Sequence, residues 1–355
     1  MTRRAGPGRD RAIAGRLSRW FRAHARDLPW REVGAGGRRD AYRALVSEFM
    51  LQQTQVSRVT PIYERFIRRF PTVERLARAR ESSVLAAWSG LGYYRRARHL
   101  HNAAKKVVRD FGGEVPSDPE ALRSLPGVGR YTAGAVASLV FGRAEPIVDG
   151  NVARVLARLD GAGDDRTAAW DRAETLVRIA ARTPGAGAAS FNEGLMELGA
   201  TVCTPRAPRC GVCPLAGVCA GREAFGSQRG AAPRTGVVRR GKPVLHVDAL
   251  LVRDARGRLL VERRGDGGLW AGLWQPPTLE RPGRAPAARS VRDWAGGPVV
   301  RAGAFEHVLS HRRVRFRVWR GELAPAESRG VFKTRGQIGR LALSSAHRRI
   351  LLEMS

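Results

Sequence analysis

The apolar residues of this chain keep two different periods, and the change between them falls near residue 240. From Ala12 to about Ala220 they recur at spacings of three and four, with Gly and Pro breaks between runs, the pattern of amphipathic helices. Candidate helices cover residues 11–24, 40–58, 61–69, 84–88, 95–111 and 119–125, with a break expected at Thr60-Pro61. Asp118 ahead of Pro119 offers an N-cap followed by proline at the first helical position. Beyond Val244 the period shortens. Val244–Val252 and Leu259–Arg264 are short β-type runs, and Val314-Arg-Phe-Arg-Val-Trp319 alternates strictly. Residues 221–243, rich in Gly, Arg and Pro, read as a linker. The expectation is a multidomain chain: an all-α domain over 1–220 and an α+β domain over 244–355. At 355 residues and 43% hydrophobic, there is material for two ordinary cores.

The charge limits the partners. Sixty-three basic residues stand against 32 acidic ones, a formal net charge of +31. A bias toward arginine in a GC-rich genome explains the choice of Arg over Lys but not the imbalance. A polyanion is the expected partner, because surface cations release counterions from nucleic-acid phosphates. The basic start of the chain is not followed by an apolar run, and no stretch approaches the roughly 18 apolar residues of a membrane span. The expectation is a soluble, cytoplasmic, nucleoid-associated monomer with no membrane partner.

All four cysteines fall in one short stretch, Cys203, Cys210, Cys213 and Cys219, spaced C-x6-C-x2-C-x5-C. Four thiolates so close together can surround one metal centre. Spacing alone leaves an iron–sulfur cluster, a zinc ion and two disulfides open. The loop between the first two, Thr204-Pro205-Arg206-Ala207-Pro208-Arg209, is basic and stiffened by prolines.

Three segments carry chemistry. Leu125-Pro-Gly-Val-Gly-Arg-Tyr-Thr-Ala-Gly134 joins two helical patterns through a Gly-x-Gly turn, so that Gly127, Val128 and Gly129 can bring backbone close to a phosphate at a helix start. Asp149, in Pro146-Ile-Val-Asp-Gly-Asn-Val152, precedes a new helix and could be an N-cap or a catalytic carboxylate. Glu48 lies among Leu45, Val46, Phe49, Met50 and Leu51. Desolvation there would raise its pKa and favour the protonated form that serves as a general acid. The plainer alternative is a solvated outer face shared by Glu48, Gln52 and Gln55.

Taken together, these segments resemble the helix-hairpin-helix, iron–sulfur DNA glycosylase superfamily. Ser47-Glu-Phe-Met-Leu-Gln-Gln-Thr-Gln-Val56 is similar to the S-E-V-M-L-Q-Q-T-Q-V segment of adenine DNA glycosylases of the MutY type, with Phe49 for the more usual Val. The resemblance implies a [4Fe–4S] cluster on Cys203, Cys210, Cys213 and Cys219. It implies an adenine pocket using Trp30 and Arg31 of Leu28-Pro-Trp-Arg31, with Glu193 facing it. Gln53 and Thr54 would contact the opposite, oxidised base, and Tyr93 of Gly90-Leu-Gly-Tyr-Tyr94 would wedge beside the lesion. Catalysis would rest on Glu48 and Asp149, oriented by Tyr131 and Asn151. Bifunctional members carry a lysine where Tyr131 stands, and Lys105, Lys106, Lys242 and Lys333 are the full set here. A monofunctional enzyme is therefore implied.

Residues 244–355 are similar to the Nudix-like domain of the same family, with Gly268-Leu-Trp-Ala-Gly-Leu-Trp274 as its aromatic turn. The acidic helix a Nudix hydrolase uses to hold magnesium is missing from the sequence, so binding is the implied role. His307-Val-Leu-Ser-His311 resembles the loop that reads 8-oxoguanine: Leu309 takes the place of the usual Phe, and Ser310 and His311 are retained. The implied substrate is double-stranded DNA with adenine opposite 8-oxoguanine. A thymine or oxidised-pyrimidine glycosylase, or a binding module without catalysis, are the alternatives that Glu48 and Asp149 argue against.

Overall fold

The computed structural model describes residues 6–34, 37–163, 165–222, 242–283, 288–323 and 330–355. The linker expected over 221–243 lies outside the described residues except at its first two and last two positions. Contacts divide the chain into two units, Met1–Arg78 with His99–Thr235, and Ala79–Arg98 with Gly236–Ser355.

The first unit is helical. It holds α1 (Pro7–His24), α2 (Ala41–Leu51), α3 (Val56–Arg69) and α4 (Val73–Ala77). After these come most of α6 (Tyr94–Asp110), then α7 (Pro119–Arg123), α8 (Arg130–Leu139), α9 (Gly150–Asp160), α10 (Arg166–Arg182) and α11 (Ala188–Thr201). Helices α1, α9, α10 and α11 close round a core that includes Ile13, Leu17, Val152, Leu156, Leu176, Phe191 and Leu195. Each such side chain is worth about 1.5–3 kcal/mol on burial.

One boundary differs from expectation. The break falls at Gln52–Gln55, not at Thr60-Pro61, and Pro61 sits inside α3. Proline removes one donor from the ladder but leaves α3 intact because Val59, Ile62, Tyr63, Phe66 and Ile67 bury a continuous face. With α2 ending at Leu51, the outer face expected to run from Glu48 through Gln52 to Gln55 does not form.

The second unit is built from α5 (Glu81–Ala87), β1 (Val244–Leu251), β2 (Leu259–Arg263), β3 (Trp274–Gln275), β4 (Thr278–Pro282), α12 (Ala288–Ala295), β5 (Val299–Val308), β6 (Arg313–Gly321), β7 (Val331–Lys333), α13 (Arg335–Gly339) and α14 (Ser345–Glu353). Its sheets have the orders β4-β1-β6-β5 and β3-β2-β7. Strand β1 is parallel to β6 and antiparallel to β4, with Asp248 opposite Arg317. The alternation read in β6 is real: Val314, Phe316 and Val318 are buried, and they pack with Val247, Ala249 and Ile350. Ser89 and Tyr94 belong with this unit because both hydroxyls donate to the Leu343 carbonyl, at 3.0 and 2.7 Å.

Candidate active site

A cavity of about 780 Å3 opens in the first unit, lined by Trp30, Arg31, Glu48, Thr54, Tyr131, Asp149, Asn151 and Glu193 among others. Seven of the residues singled out from five separate sequence segments, and Thr54 with them, therefore line one cavity. Each arrives by a local device. Helix α2, capped by Asp40 accepting from the Arg43 amide, carries Glu48 in its last turn. Helix α8 carries Tyr131 one residue past its start. Within α8, a Cβ on Gly134 would stand 2.5 Å from the Pro146 carbonyl oxygen, so only glycine lets the segment leading to Asp149 pass this close.

The two carboxylates are held differently. Asp149 caps α9: its Oδ1 accepts from the Val152 amide at 2.7 Å, and its Oδ2 accepts from Asn151 Nδ2 at 3.3 Å. The cap and the cavity lining are one residue, so the two readings of Asp149 are compatible. Asn151 is fixed in turn by Arg154, whose Nη2 donates to its Oδ1 at 2.9 Å. Glu48 is only 7% exposed, and its Oε2 has no hydrogen-bond partner among the described residues. Burial, reinforced by the charges of Glu193 and Asp149 and opposed by Arg39, pushes its carboxyl up to about 7. The Tyr131 phenol is pushed well up by burial, with Glu48 and Asp149 adding to the effect, and its hydroxyl donates to the Met196 sulfur at 3.5 Å.

A lattice of arginines and glutamates lines the same cavity. Arg31 Nε donates to Glu193 Oε1 at 2.9 Å, and Arg39 Nη2 to Glu193 Oε2 at 2.8 Å. Glu197, one turn further along α11, accepts from Arg26 and Arg31. Trp30 meets Tyr63 edge-on, with ring centroids 5.4 Å apart. Sequence reasoning missed Arg26, Arg39 and Glu197. The signal existed: Glu193 and Glu197 sit four apart among Phe191, Leu195 and Leu198, the same apolar setting that singled out Glu48.

The hairpin joins α7 to α8 through Ser124–Gly129. Gly127 has φ +79°, and a Cβ there would lie 2.6 Å from His99, so the turn requires glycine. Val128 is buried, and its amide donates to the Leu125 carbonyl at 3.1 Å. Gly129 caps α8, whose first amides have no intrahelical acceptor.

Three non-glycine residues among those described have positive φ: Gln53 (56°), Tyr93 (45°) and Trp270 (58°). Gln53 is exposed in the break after α2, and Thr54 Oγ1 donates to the Gln52 carbonyl at 3.3 Å. In the second unit Tyr93 is 43% exposed, with the Arg96 guanidinium 5.3 Å from its ring centroid. Side chains in this region of backbone space are strained and cluster at functional positions.

Leu309, Ser310 and His311 form the turn between β5 and β6, closed by the Leu309 amide donating to the Arg312 carbonyl at 2.9 Å. Ser310 and His311 are exposed, with Ser310 Oγ 3.4 Å from His311 Nδ1. Leu309 is half-buried and packs against the core of the unit.

The expected [4Fe–4S] cluster is not supported. Among the described residues no group of three or more His, Cys, Asp or Glu side chains is arranged to hold a metal ion. Cys203, Cys210, Cys213 and Cys219 are free cysteines, which also removes the disulfide reading. Burial pushes the Cys213 thiol up to about 11 and raises that of Cys219. The loop is held instead by Arg158, which donates to the Thr204 and Pro205 carbonyls at 2.7 and 2.8 Å. Iron, iron–sulfur and metal-binding roles are therefore not supported for this chain.

Comparison with known proteins defines the class. Residues 46–178 match the family model described as HhH-GPD superfamily base excision DNA repair protein, and residues 248–353 match the NUDIX domain. Residues 203–219 match in sequence the model described as the iron–sulfur binding domain of endonuclease III. The adenine DNA glycosylase of Rattus norvegicus is 37% identical over 87% of this chain and 70% of its own length. That of Mycobacterium tuberculosis is 45% identical over 69% of this chain and 76% of its own. A thermostable thymine-DNA glycosylase superposes with TM-score 0.54 at 32% identity, covering 61% of this chain and 98% of that one. The chain belongs to the MutY-type adenine DNA glycosylases. It is an adenine-specific DNA glycosylase of base excision repair. No helix among the described residues is long and apolar enough to cross a membrane.

Proposed function

We propose that this enzyme excises adenine paired with 8-oxoguanine (or guanine) from duplex DNA, without strand cleavage, as a monomer acting on DNA at the nucleoid. The observation that carries the reading is the buried carboxyl of Glu48, with Oε2 unpartnered, facing the same cavity as Asp149. Adenine flipped from the stack enters that cavity. Glu48 in its acid form donates a proton to adenine N7, which turns the base into a better leaving group. As the glycosidic bond breaks, positive charge builds on the sugar, and ionised Asp149 stabilises it. Water then adds to the sugar carbon and yields its proton to the Glu48 carboxylate, which restores the acid and leaves free adenine and an abasic site. Asn151 fixes the free edge of Asp149, and Tyr131 stands where a lysine would be needed for an imine. Trp30, Arg31 and Glu193 line the base pocket.

Around the lesion, Gly127, Val128 and Gly129 grip the backbone, Gln53 and Tyr93 enter the stack, and Thr54 contacts the opposite base. Leu309, Ser310 and His311 read the oxidised purine. Their exposed turn supports this role, and the inward packing of Leu309 leaves the polar pair as the reading groups. The test is release from labelled duplexes holding adenine opposite 8-oxoguanine, guanine or thymine, and a thymine–guanine mismatch. Expected is adenine release opposite 8-oxoguanine, with strand breaks only after hot alkali. Thymine release, or breaks without alkali, would overturn the reading.

A further inference from the structure

We infer that Glu197 is a positioning residue of the base pocket, acting through Arg26 and Arg31 to fix the pocket's shape and its charge. This rests on the adenine-excision reading above. Glu197 is 1% exposed and lies on α11 one turn after Glu193, on the same cavity wall. Its Oε1 accepts from Arg26 Nε at 2.5 Å, and its Oε2 accepts from Arg26 Nη2 at 3.2 Å and Arg31 Nη2 at 2.9 Å. Arg31 is thereby held at all three nitrogens, since Nε meets Glu193 and Nη1 donates to the Arg26 carbonyl at 2.9 Å. A carboxylate buried this far costs several kcal/mol unless fully partnered, so a residue kept only for packing would be apolar.

The segment it secures needs an anchor. Trp30 and Arg31 stand on a three-residue 3₁₀ turn, Pro29–Arg31, whose N-cap makes no side-chain hydrogen bond. A turn of that length does not hold itself in place. Its fixed points are the edge contact of Trp30 with Tyr63 and the two glutamates under Arg31. Glu193 shares Arg31 with Glu197, while Arg39 holds its second oxygen at 2.8 Å.

The same residue balances charge. The cavity is lined by Glu48, Asp149, Glu193 and Glu197 and by Arg26, Arg31 and Arg39. With Glu48 protonated, three carboxylates face three guanidinium groups. Glu48 itself is faced by Glu193 from α11, Asp149 from ahead of α9, Tyr131 from α8 and Arg39 from ahead of α2. Removing the Glu197 charge leaves Arg26 unpaired and the cavity one positive charge in excess, which favours ionised Glu48. The acid form would then be lost at a lower pH.

The test compares the full chain with Glu197→Gln, Glu197→Asp and Arg26→Gln in single-turnover adenine release opposite 8-oxoguanine across pH. For Glu197→Gln we expect the rate to fall about tenfold or more, while affinity for the same duplex stays within about twofold. The alkaline limb should move down by about half a pH unit or more, and Glu197→Asp should recover part of the rate. Arg26→Gln, which leaves the buried carboxylate paired with Arg31, should lower the rate by less and move the limb the opposite way, upward, because it removes a positive charge. It keeps the question open to refutation should Glu197→Gln fail to fold. A Glu197→Gln protein that melts earlier but keeps rate and limb overturns the proposal, as does an Arg26→Gln protein with neither changed. If the unaltered enzyme releases no adenine, it is the underlying reading that fails, and the variants are not needed to show it.

Discussion

Two buried carboxyl groups, one in each unit, show what partners do to burial. Asp248 on β1 is 1% exposed and fully engaged: Oδ1 accepts from Arg317 Nε at 2.7 Å and Trp319 Nε1 at 2.8 Å, and Oδ2 accepts from Arg317 Nη2 at 2.8 Å. The parallel register sets Arg317 directly opposite, so the pair is built into the sheet. Glu48 is 7% exposed and lacks any such fork. Its nearest charges are mostly negative, and its carboxyl rises to about 7. A buried carboxylate with a bidentate arginine stabilises an architecture. One without it keeps its proton to a higher pH, and the fold carries the cost.

The contrast is sharpest in activity. Glu48→Gln removes the transferable proton and should lower adenine release by about 10²–10⁴-fold, with duplex binding kept. Single-turnover assays check this, and a variant that keeps its rate would take Glu48 out of the acid role. The unaltered enzyme should lose rate as pH rises through about 7, because only the protonated carboxyl can donate. A pH profile flat up to 9 would contradict that. Asp248→Asn belongs to the other side of the comparison. It leaves Arg317 without its counter-charge, at a cost of about 3–5 kcal/mol to the second unit. Hydrogen exchange of the β1 and β6 amides in the full chain would report it, and protection unchanged to within about 1 kcal/mol would mean that the pair is not structural.

Much of this was legible in the sequence. The change of period located both kinds of architecture, because side chains that recur every 3.6 or every two residues can bury only on helices or strands. Glu48 stood out for the reason that matters, a carboxyl in an apolar run. What the sequence hid were relations at long range. Arg31 meets Glu193 across 162 positions, and Arg26 meets Glu197 across 171, and no local pattern pairs them. The α2–α3 break was misplaced because proline is the stronger breaker by propensity, yet the buried face of α3 outweighs one missing donor, while Gln53 turns the chain at a cost no propensity scale assigns to glutamine. The cysteine spacing misled in a different way: it fixes how near four thiols are along the chain, not how they are aimed.

The last contrast is in stability, and its sign is opposite to that at Asp248. The Glu48 carboxyl is raised from an ordinary 4.5 to about 7, so the folded protein holds its proton more tightly than the unfolded chain does. The stability this contributes is fully present below pH 4.5 and is lost as pH rises through about 7, where the folded state must ionise a buried acid. At about 1.4 kcal/mol per pH unit, the loss is up to about 3 kcal/mol. Glutamine carries no proton to lose, so Glu48→Gln should gain stability over the unaltered protein as the pH is raised from 5 to 8, while Asp248→Asn stays destabilised throughout. Exchange of the α2 amides at both pH values measures the difference. A gap that does not widen with pH would mean that Glu48 is solvated in the folded state, and the distinction between the two carboxyls would fall with it.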